Sequence, residues 1–215
     1  MSDDSLAPDL AGPMQVQLAR RQAALNSGAT SVGWKVAFNG LAMQQHFGIK
    51  GLVVGHITNA TVLDPEQLVT ISNWHQPMLE VELALRIGSD GGIAGIAPAL
   101  ELVDIDLPFD QLAPILEGNI FHRGVVFGPE SQDPELRGLE VAVTRDAEVV
   151  ARGTLNDDPA ATVTEVRTFL ERHEAILSPG ERIIAGSLIT PLTLNPGDHV
   201  DVSFGSLGSL SLTFR

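Results

Sequence analysis

Between Leu79 and Ile87 the chain alternates without a break. Leu79, Val81, Leu83 and Leu85 occupy one parity and Glu80, Glu82, Ala84 and Arg86 the other. A period of two is that of an extended strand with unlike faces. The turn signal Ser89-Asp90-Gly91-Gly92 ends the run, and a strongly apolar stretch, 93–107, follows it. That pattern sets a β-sheet at the centre of the fold and places two glutamates side by side on one strand face.

Further strand signals lie at Leu52–Val54, Gln67–Ser72, Val125–Phe127, Leu139–Val150, Arg182–Ala185, His199–Phe204 and Leu207–Phe214. An Asn195-Pro196-Gly197-Asp198 turn separates the strands on either side of it. Helical spacing covers Met14–Asn26 with Gly28 as its stop, and Leu41–Phe47 suits a short helix stopped by Gly48. Asp158-Pro159 reads as N-cap and first helical residue. Val163, Val166, Phe169, Leu170, His173, Ile176 and Leu177 then recur at helical spacing up to Pro179-Gly180. The sum predicts an α+β, β-rich chain with a mixed or rolled sheet and a few peripheral helices. Residues 1–13 read as a polar tail and 14–215 as a single catalytic domain.

Composition narrows the function. Thirteen Lys and Arg against 27 Asp and Glu give a net charge of −14, which argues against a nucleic-acid partner. The chain has no cysteine, so disulfides, thiolate metal sites and a thiol nucleophile are excluded. No apolar run reaches the length of a membrane span. The acidic start, Met1-Ser2-Asp3-Asp4, is unlike a secretory signal. The expectation is a soluble, cytoplasmic protein.

Glu80 and Glu82 project from the same strand face, where their charges repel unless a cation lies between them. A solvated strand face is the alternative reading of such a pair. Glu101 sits in the apolar run Ile96–Val103; there a carboxylate is either a satisfied structural acid or a third ligand. All-oxygen donors suit Mg²⁺, Mn²⁺ or Ca²⁺. Lys35, in Gly33-Trp34-Lys35-Val36, is one of two lysines. It is either a proton-transfer group or a snorkelling side chain. His122-Arg123 offers an acid/base and a carboxylate clamp, or a surface loop. Gly186-Ser187 offers donors to a substrate, or a turn.

Taken in order, several segments resemble the 2-keto-4-pentenoate hydratase and oxalocrotonate decarboxylase branch of the fumarylacetoacetate hydrolase superfamily. They are Gly33-Trp34-Lys35-Val36, Gln76–Ala84 with Glu80-Val81-Glu82, Pro98–Asp104, Asn119, Ile184–Ser187 through Pro191, and Asn195–Ser209. The resemblance implies a mixed β-sandwich roll, and Mg²⁺ or Mn²⁺ on Glu80, Glu82 and Glu101. It implies proton transfer by Lys35, a small 2-oxo acid as substrate, contacts from Asn119 and Ser187, and an oligomer of identical subunits; Arg123 is the expected substrate contact from the His122-Arg123 pair itself. It implies Lewis-acid stabilisation of an enolate and, first among the reactions, hydration of a 2-keto-4-pentenoate-type substrate. Acylpyruvate-type C–C hydrolysis, decarboxylation and a non-catalytic metal-binding scaffold are the alternatives. Four positions depart from the pattern, among them His122 and Arg123, which stand where the hydratases often have small polar residues. Val53 stands where the hydratases carry the acid/base Asp, and Met78 stands for a basic residue. His122 is the expected replacement base.

Overall fold

The computed structural model describes residues 8–65, 67–132 and 136–215. Four helices are present among these: α1 (Ala11–Asn26), α2 (Leu41–Phe47), α3 (Leu112–Glu117) and α4 (Pro159–Arg172). The strands are β1 (Ser31–Ala37), β2 (Val53–Thr58), β3 (Leu68–Val69), β4 (Pro77–Ile87), β5 (Ile93–Asp104) and β6 (His122–Phe127). The remaining six are β7 (Glu140–Arg145), β8 (Glu148–Thr154), β9 (Arg182–Ile184), β10 (Leu192–Thr193), β11 (His199–Ser203) and β12 (Ser209–Phe214). No described helix is long and apolar enough to cross a membrane.

The strands form two sheets. The first runs β2-β1-β9-β4-β5-β6, with β10 also on β4; the second runs β3-β12-β11-β7-β8. β1 with β9 and β12 with β3 pair parallel and the other pairs are antiparallel, so both sheets are mixed, as expected. A parallel bridge from Val62 to Val125, with the Leu63 N–H donating to the Val125 carbonyl at 2.8 Å, ties the segment after β2 to β6. The first sheet is thereby rolled, with an inside and an outside. Its two faces use side chains of different size. Leu79, Val81, Leu83 and Leu85 join the large core shared with the second sheet, α1, α3 and α4. The other parity meets Ala97, Ala99, Val125, Ile184 and Ile57 in a separate small-residue cluster. Small residues there let the roll close tightly, and the same parity carries Glu80, Glu82 and Glu101.

Several boundaries differ from expectation, each for a physical reason. Of the expected polar tail, residues 1–7 lie outside the described residues, and α1 begins at Ala11, taking in Gly12 and Pro13. Proline is tolerated in a first turn because its missing N–H has no helical partner there, and the Asp9 Oδ1 accepts the Ala11 N–H at 2.9 Å. The expected strand Leu139–Val150 is a hairpin. Asp146 and Ala147, both at positive φ (50° and 68°), turn the chain between β7 and β8, as a two-residue hairpin loop of the primed type requires. α4 is capped as expected, with the Asp158 Oδ1 accepting the Ala160 N–H at 3.0 Å. It ends at Arg172 rather than near Pro179. Glu174 turns left-handed (φ 57°), which still brings Leu177 into the core while Ile176 stays exposed.

Candidate functional site

β4 and β5 pair with Glu80 directly opposite Glu101, and Glu82 follows two residues along on the same face. Each of the three offers a carboxylate oxygen within 4.8 Å of the others. Glu82 and Glu101 are wholly buried and Glu80 is partly so. Glu82 Oε2 accepts the Gly186 N–H at 2.8 Å, and its Oε1 is buried with no partner. Glu101 Oε1 receives the Lys35 ammonium at 2.8 Å and His122 Nδ1 at 2.8 Å, and its Oε2 is likewise buried and unpartnered. A buried acceptor without a donor is costly. Two of them beside a third carboxylate fit a shared cation, and the donor set is oxygen throughout.

The electrostatics agree. Burial pushes Glu80 up to about 7, against the pull of Lys35 and with the repulsion of Glu101 behind it. Burial, then Glu101 and Glu80, push Glu82 well above the usual carboxylate range. Burial would also raise Glu101, but Lys35 and His122 outweigh it and hold that carboxyl low. Burial alone would lower Lys35; the charges of Glu101 and Glu80 reverse this and keep its amine above the ordinary value. Three clustered carboxylates, two of them wholly buried, are therefore served by one ammonium and one imidazole, and a divalent ion would complete the balance.

Lys35 and Glu80 line a cavity of about 330 Å³, with Asn39, Gly186 and Ser187 the other polar contributors. The Lys35 ammonium also donates to the Ile120 carbonyl at 3.1 Å. That carbonyl is presented by three successive non-glycine residues at positive φ, Asn119 (64°), Ile120 (52°) and Phe121 (63°). Such backbone costs on the order of 1–3 kcal/mol per residue and persists where its surroundings enforce it. Nothing in the side-chain pattern signals this loop. Ser187 Oγ accepts the Val81 N–H at 3.2 Å, which leaves its own proton available to the cavity. Gly186 sits at φ 98°, where a side chain is strained, and a Cβ there would lie 2.8 Å from Asn39 Nδ2 and force a shift.

Lys35 and the three glutamates thus come together, with Ser187 on the same cavity wall as Lys35 and Glu80; three other candidate residues lie elsewhere or are held by neighbouring groups. His122 does not line the cavity. Both ring nitrogens are engaged, Nδ1 with Glu101 and Nε2 with Thr61 Oγ1 at 2.9 Å, contacts that orient Glu101. Arg123 lies off the cavity, with its guanidinium 2.5 Å from Asp106 and 3.8 Å from Asp104. Asn119 is a structural clamp. Its amide donates to the His56 carbonyl at 2.9 Å and its Oδ1 accepts the His56 N–H at 2.7 Å. Gly55 makes room for that clamp, since a Cβ there would lie 2.8 Å from both Asn119 Oδ1 and Lys35 Cγ. Glu181 escapes a reading of the sequence. It is buried and accepts from the Trp34 indole at 3.0 Å, the Ser178 N–H at 2.8 Å and Arg21 at 3.2 Å, anchoring the strand that carries Lys35. Its Pro179-Gly180 setting resembles any turn, so only the packed structure reveals it.

Known proteins share this architecture. The 2-keto-4-pentenoate hydratase of Paraburkholderia xenovorans (strain LB400) is 24% identical over 223 residues, covering 93% of this chain and 82% of its own. The 4-oxalocrotonate decarboxylase of Pseudomonas putida is 22% identical over 221 residues, covering 94% and 83%. Among solved structures, 4-oxalocrotonate decarboxylase from Pseudomonas putida G7, complexed with magnesium and adipate, superimposes with a TM-score of 0.88 at 20% identity. It covers 100% of this chain and 89% of that one. Fumarylpyruvate hydrolase from Pseudomonas aeruginosa, in complex with Mn²⁺ and pyruvate, gives a TM-score of 0.64 at 18% identity, covering 86% and 89%. At such identities these structures establish the fold. Residues 48–215, well over half the chain, match the family model described as fumarylacetoacetate (FAA) hydrolase C-terminal. By its sheets, its glutamate constellation and this match, the chain belongs to the fumarylacetoacetate hydrolase family.

Proposed function

We propose that this protein is a divalent-metal-dependent lyase of small 2-oxo acids, with hydration of a 2-keto-4-pentenoate-type substrate as its reaction. The observation that carries the reading is the meeting of three carboxylates, two with an unpartnered buried oxygen, beside Lys35, with Glu80 and Lys35 on the wall of one cavity. Glu80, Glu82 and Glu101 are the residues that would hold Mg²⁺ or Mn²⁺. When bound, such an ion supplies the positive charge that attracts the carboxylate and keto oxygens of a 2-oxo acid and offsets charge developing on them.

The chain's own groups do the rest. Lys35 keeps a proton on Nζ beside Glu101 and delivers it to the substrate. The Ser187 hydroxyl donates into the same space. His122 and the Gly186 N–H fix the orientation of Glu101 and Glu82. Phe38, Phe109 and Phe121 wall the cavity and restrict water. Relatives named as hydratases, and neighbours solved with magnesium and adipate or with Mn²⁺ and pyruvate, support both the ion and the acid.

One observation favours a second reading, decarboxylation or acylpyruvate-type C–C hydrolysis. Val53, on β2, is wholly buried at the position where hydratases carry their Asp, so Lys35 lacks that partner. Decarboxylation needs only one proton delivered after CO₂ leaves, which a lone lysine can provide. The full chain, supplied with Mg²⁺ or Mn²⁺, is offered 2-hydroxypenta-2,4-dienoate, acetylpyruvate or oxaloacetate, and ultraviolet absorbance is followed. Loss of the dienol band with formation of a 4-hydroxy-2-oxo acid is the expected result. Pyruvate plus a second acid marks the hydrolase and CO₂ release the decarboxylase. No turnover with metal bound leaves a non-catalytic binding protein.

A further inference from the structure

The cavity beside the three glutamates has two chemically different ends. The buried end holds Lys35, 1% exposed, against Glu101, 0% exposed. The rest of the lining is mostly apolar, from Phe38, Met43, Ile105, Phe109, Phe121 and Ile189, with the exposed Asn39 as a polar side chain among them. Phe109 stands 37% exposed at the opening, with ring centroids 5.3 Å from Phe121 and 6.3 Å from Phe38. Phe38 is held at φ 55°, a region that bulky residues rarely adopt. Among the described residues lining this space, Lys35 is the one cation, and its ammonium is engaged by Glu101 and the Ile120 carbonyl. The nearby guanidinium of Arg123 lies outside the lining and is held by Asp106. His46 is exposed and bonded to the Phe109 carbonyl.

We infer that the outer end selects a 2-oxo acid whose far substituent is apolar, alkyl or aryl, and rejects an acid with a second carboxylate at that end. The inference rests on the reading that the head of the 2-oxo acid sits at the glutamates and Lys35. A distal carboxylate would meet mainly aromatic rings and aliphatic carbon, with no free cation to pair with and only the neutral Asn39 and Ser187 side chains as donors, next to three existing carboxylates. It would lose most of its hydration without an equal replacement. An aryl or alkyl tail would instead bury its surface against three rings, a favourable exchange. The volume of about 330 Å³ is at the small end of the roughly 300–1,000 Å³ typical of such sites. It admits one ring beyond the 2-oxo acid head. The decarboxylase neighbour solved with adipate, a dicarboxylate, is the natural contrast.

The test is isothermal titration calorimetry on the full chain in magnesium, using oxalate and pyruvate as tail-less probes. 2-Oxohexanoate and 2-oxoadipate form a pair of equal length that differs in the terminal carboxylate, and 4-phenyl-2-oxobutanoate supplies a ring. The expected result is at least about tenfold tighter binding of 2-oxohexanoate and the phenyl compound than of 2-oxoadipate. Phe109→Ala lowers affinity for the phenyl compound by about tenfold and affects oxalate far less. Phe109→Arg, which adds a cation at the rim, raises affinity for 2-oxoadipate. If oxalate binds and 2-oxoadipate matches or exceeds 2-oxohexanoate, the selectivity is overturned while the site reading stands. If oxalate and pyruvate do not bind, both fall together.

Discussion

Replacing Lys35 by methionine removes the ammonium from a site with three clustered carboxylates. In the folded chain Lys35 is 1% exposed, 2.8 Å from Glu101 Oε1 and 3.1 Å from the Ile120 carbonyl. Methionine fills the space but leaves Glu101 charged and buried with His122 as its donor, and it strips the Ile120 carbonyl of the lysine's hydrogen bond. Breaking one side of a buried pair costs about 3–5 kcal/mol. The remaining imidazole contact places this variant near the lower end, about 3 kcal/mol. For a chain of this size that corresponds to a fall of roughly 6–12 °C in Tm. The sign with pH follows from Glu101, whose folded pKa is depressed in the natural chain. That depression adds stability above the unfolded value near 4.5 and loses it as pH falls through the folded value. Methionine abolishes most of it, so the gap between the two proteins is widest at neutral pH and narrows below about pH 4.5. Urea denaturation in EDTA at about pH 7.5 and about pH 4 measures both contributions. The Lys35→Met/Glu101→Leu double variant closes the cycle and is expected to be less destabilised than the sum of its parts. A Lys35→Met protein within about 0.5 kcal/mol of the natural chain at neutral pH would refute the reasoning.

His56 Nδ1 is buried without a partner, and burial, with His122 and Arg21 nearby, lowers this imidazole to about 4. The folded state therefore resists its protonation. Stability is unaffected above about pH 6.5 and falls between there and about pH 4 by about 2–3 kcal/mol after allowance for partial exposure, a slope that His56→Gln should flatten in chemical denaturation. Gly186→Ala forces a Cβ toward Asn39 and displaces the N–H that holds Glu82, so calorimetry should record at least about a tenfold loss in Mn²⁺ affinity. His122→Ala should weaken ion binding about tenfold yet leave the shape of the pH–rate profile unchanged. Loss of the acidic limb, along which a general base becomes protonated, would instead make His122 the general base.

β4 is legible in sequence because a period of two with unlike faces is the mark of a strand whose sides meet different surroundings, and it sets Glu80 and Glu82 on one face; its pairing with β5 is not legible, since 93–107 shows only an apolar run, and Glu101 stands out there through that apolar setting and the family resemblance. Lys35 and Ser187 were legible through the family resemblance of their segments, not through spacing. The roles of His122, Arg123 and Asn119 were not. Each lies in or beside a loop whose backbone is left-handed at Asn119, Ile120 and Phe121, and where such a loop aims its side chains depends on what packs against it. The β7–β8 turn escaped notice because Asp146-Ala147 lacks the glycine that normally announces two residues at positive φ. α4 was over-extended because Leu177 is buried at a helically spaced position even though the chain reaches it through a turn. β10, two residues long and added onto β4, is too short for any periodicity to register.

At the centre of this picture stands the proposal that Glu80, Glu82 and Glu101 share one hard cation. Mn²⁺ titration followed by calorimetry, on the natural chain and on Glu82→Gln and Glu101→Gln, tests that claim without any substrate. The expected result is a single ion per chain in the natural protein and an affinity reduced by about a hundredfold or more in each variant. Mn²⁺ binding that is unchanged in both variants, or absent from the natural chain, would contradict it.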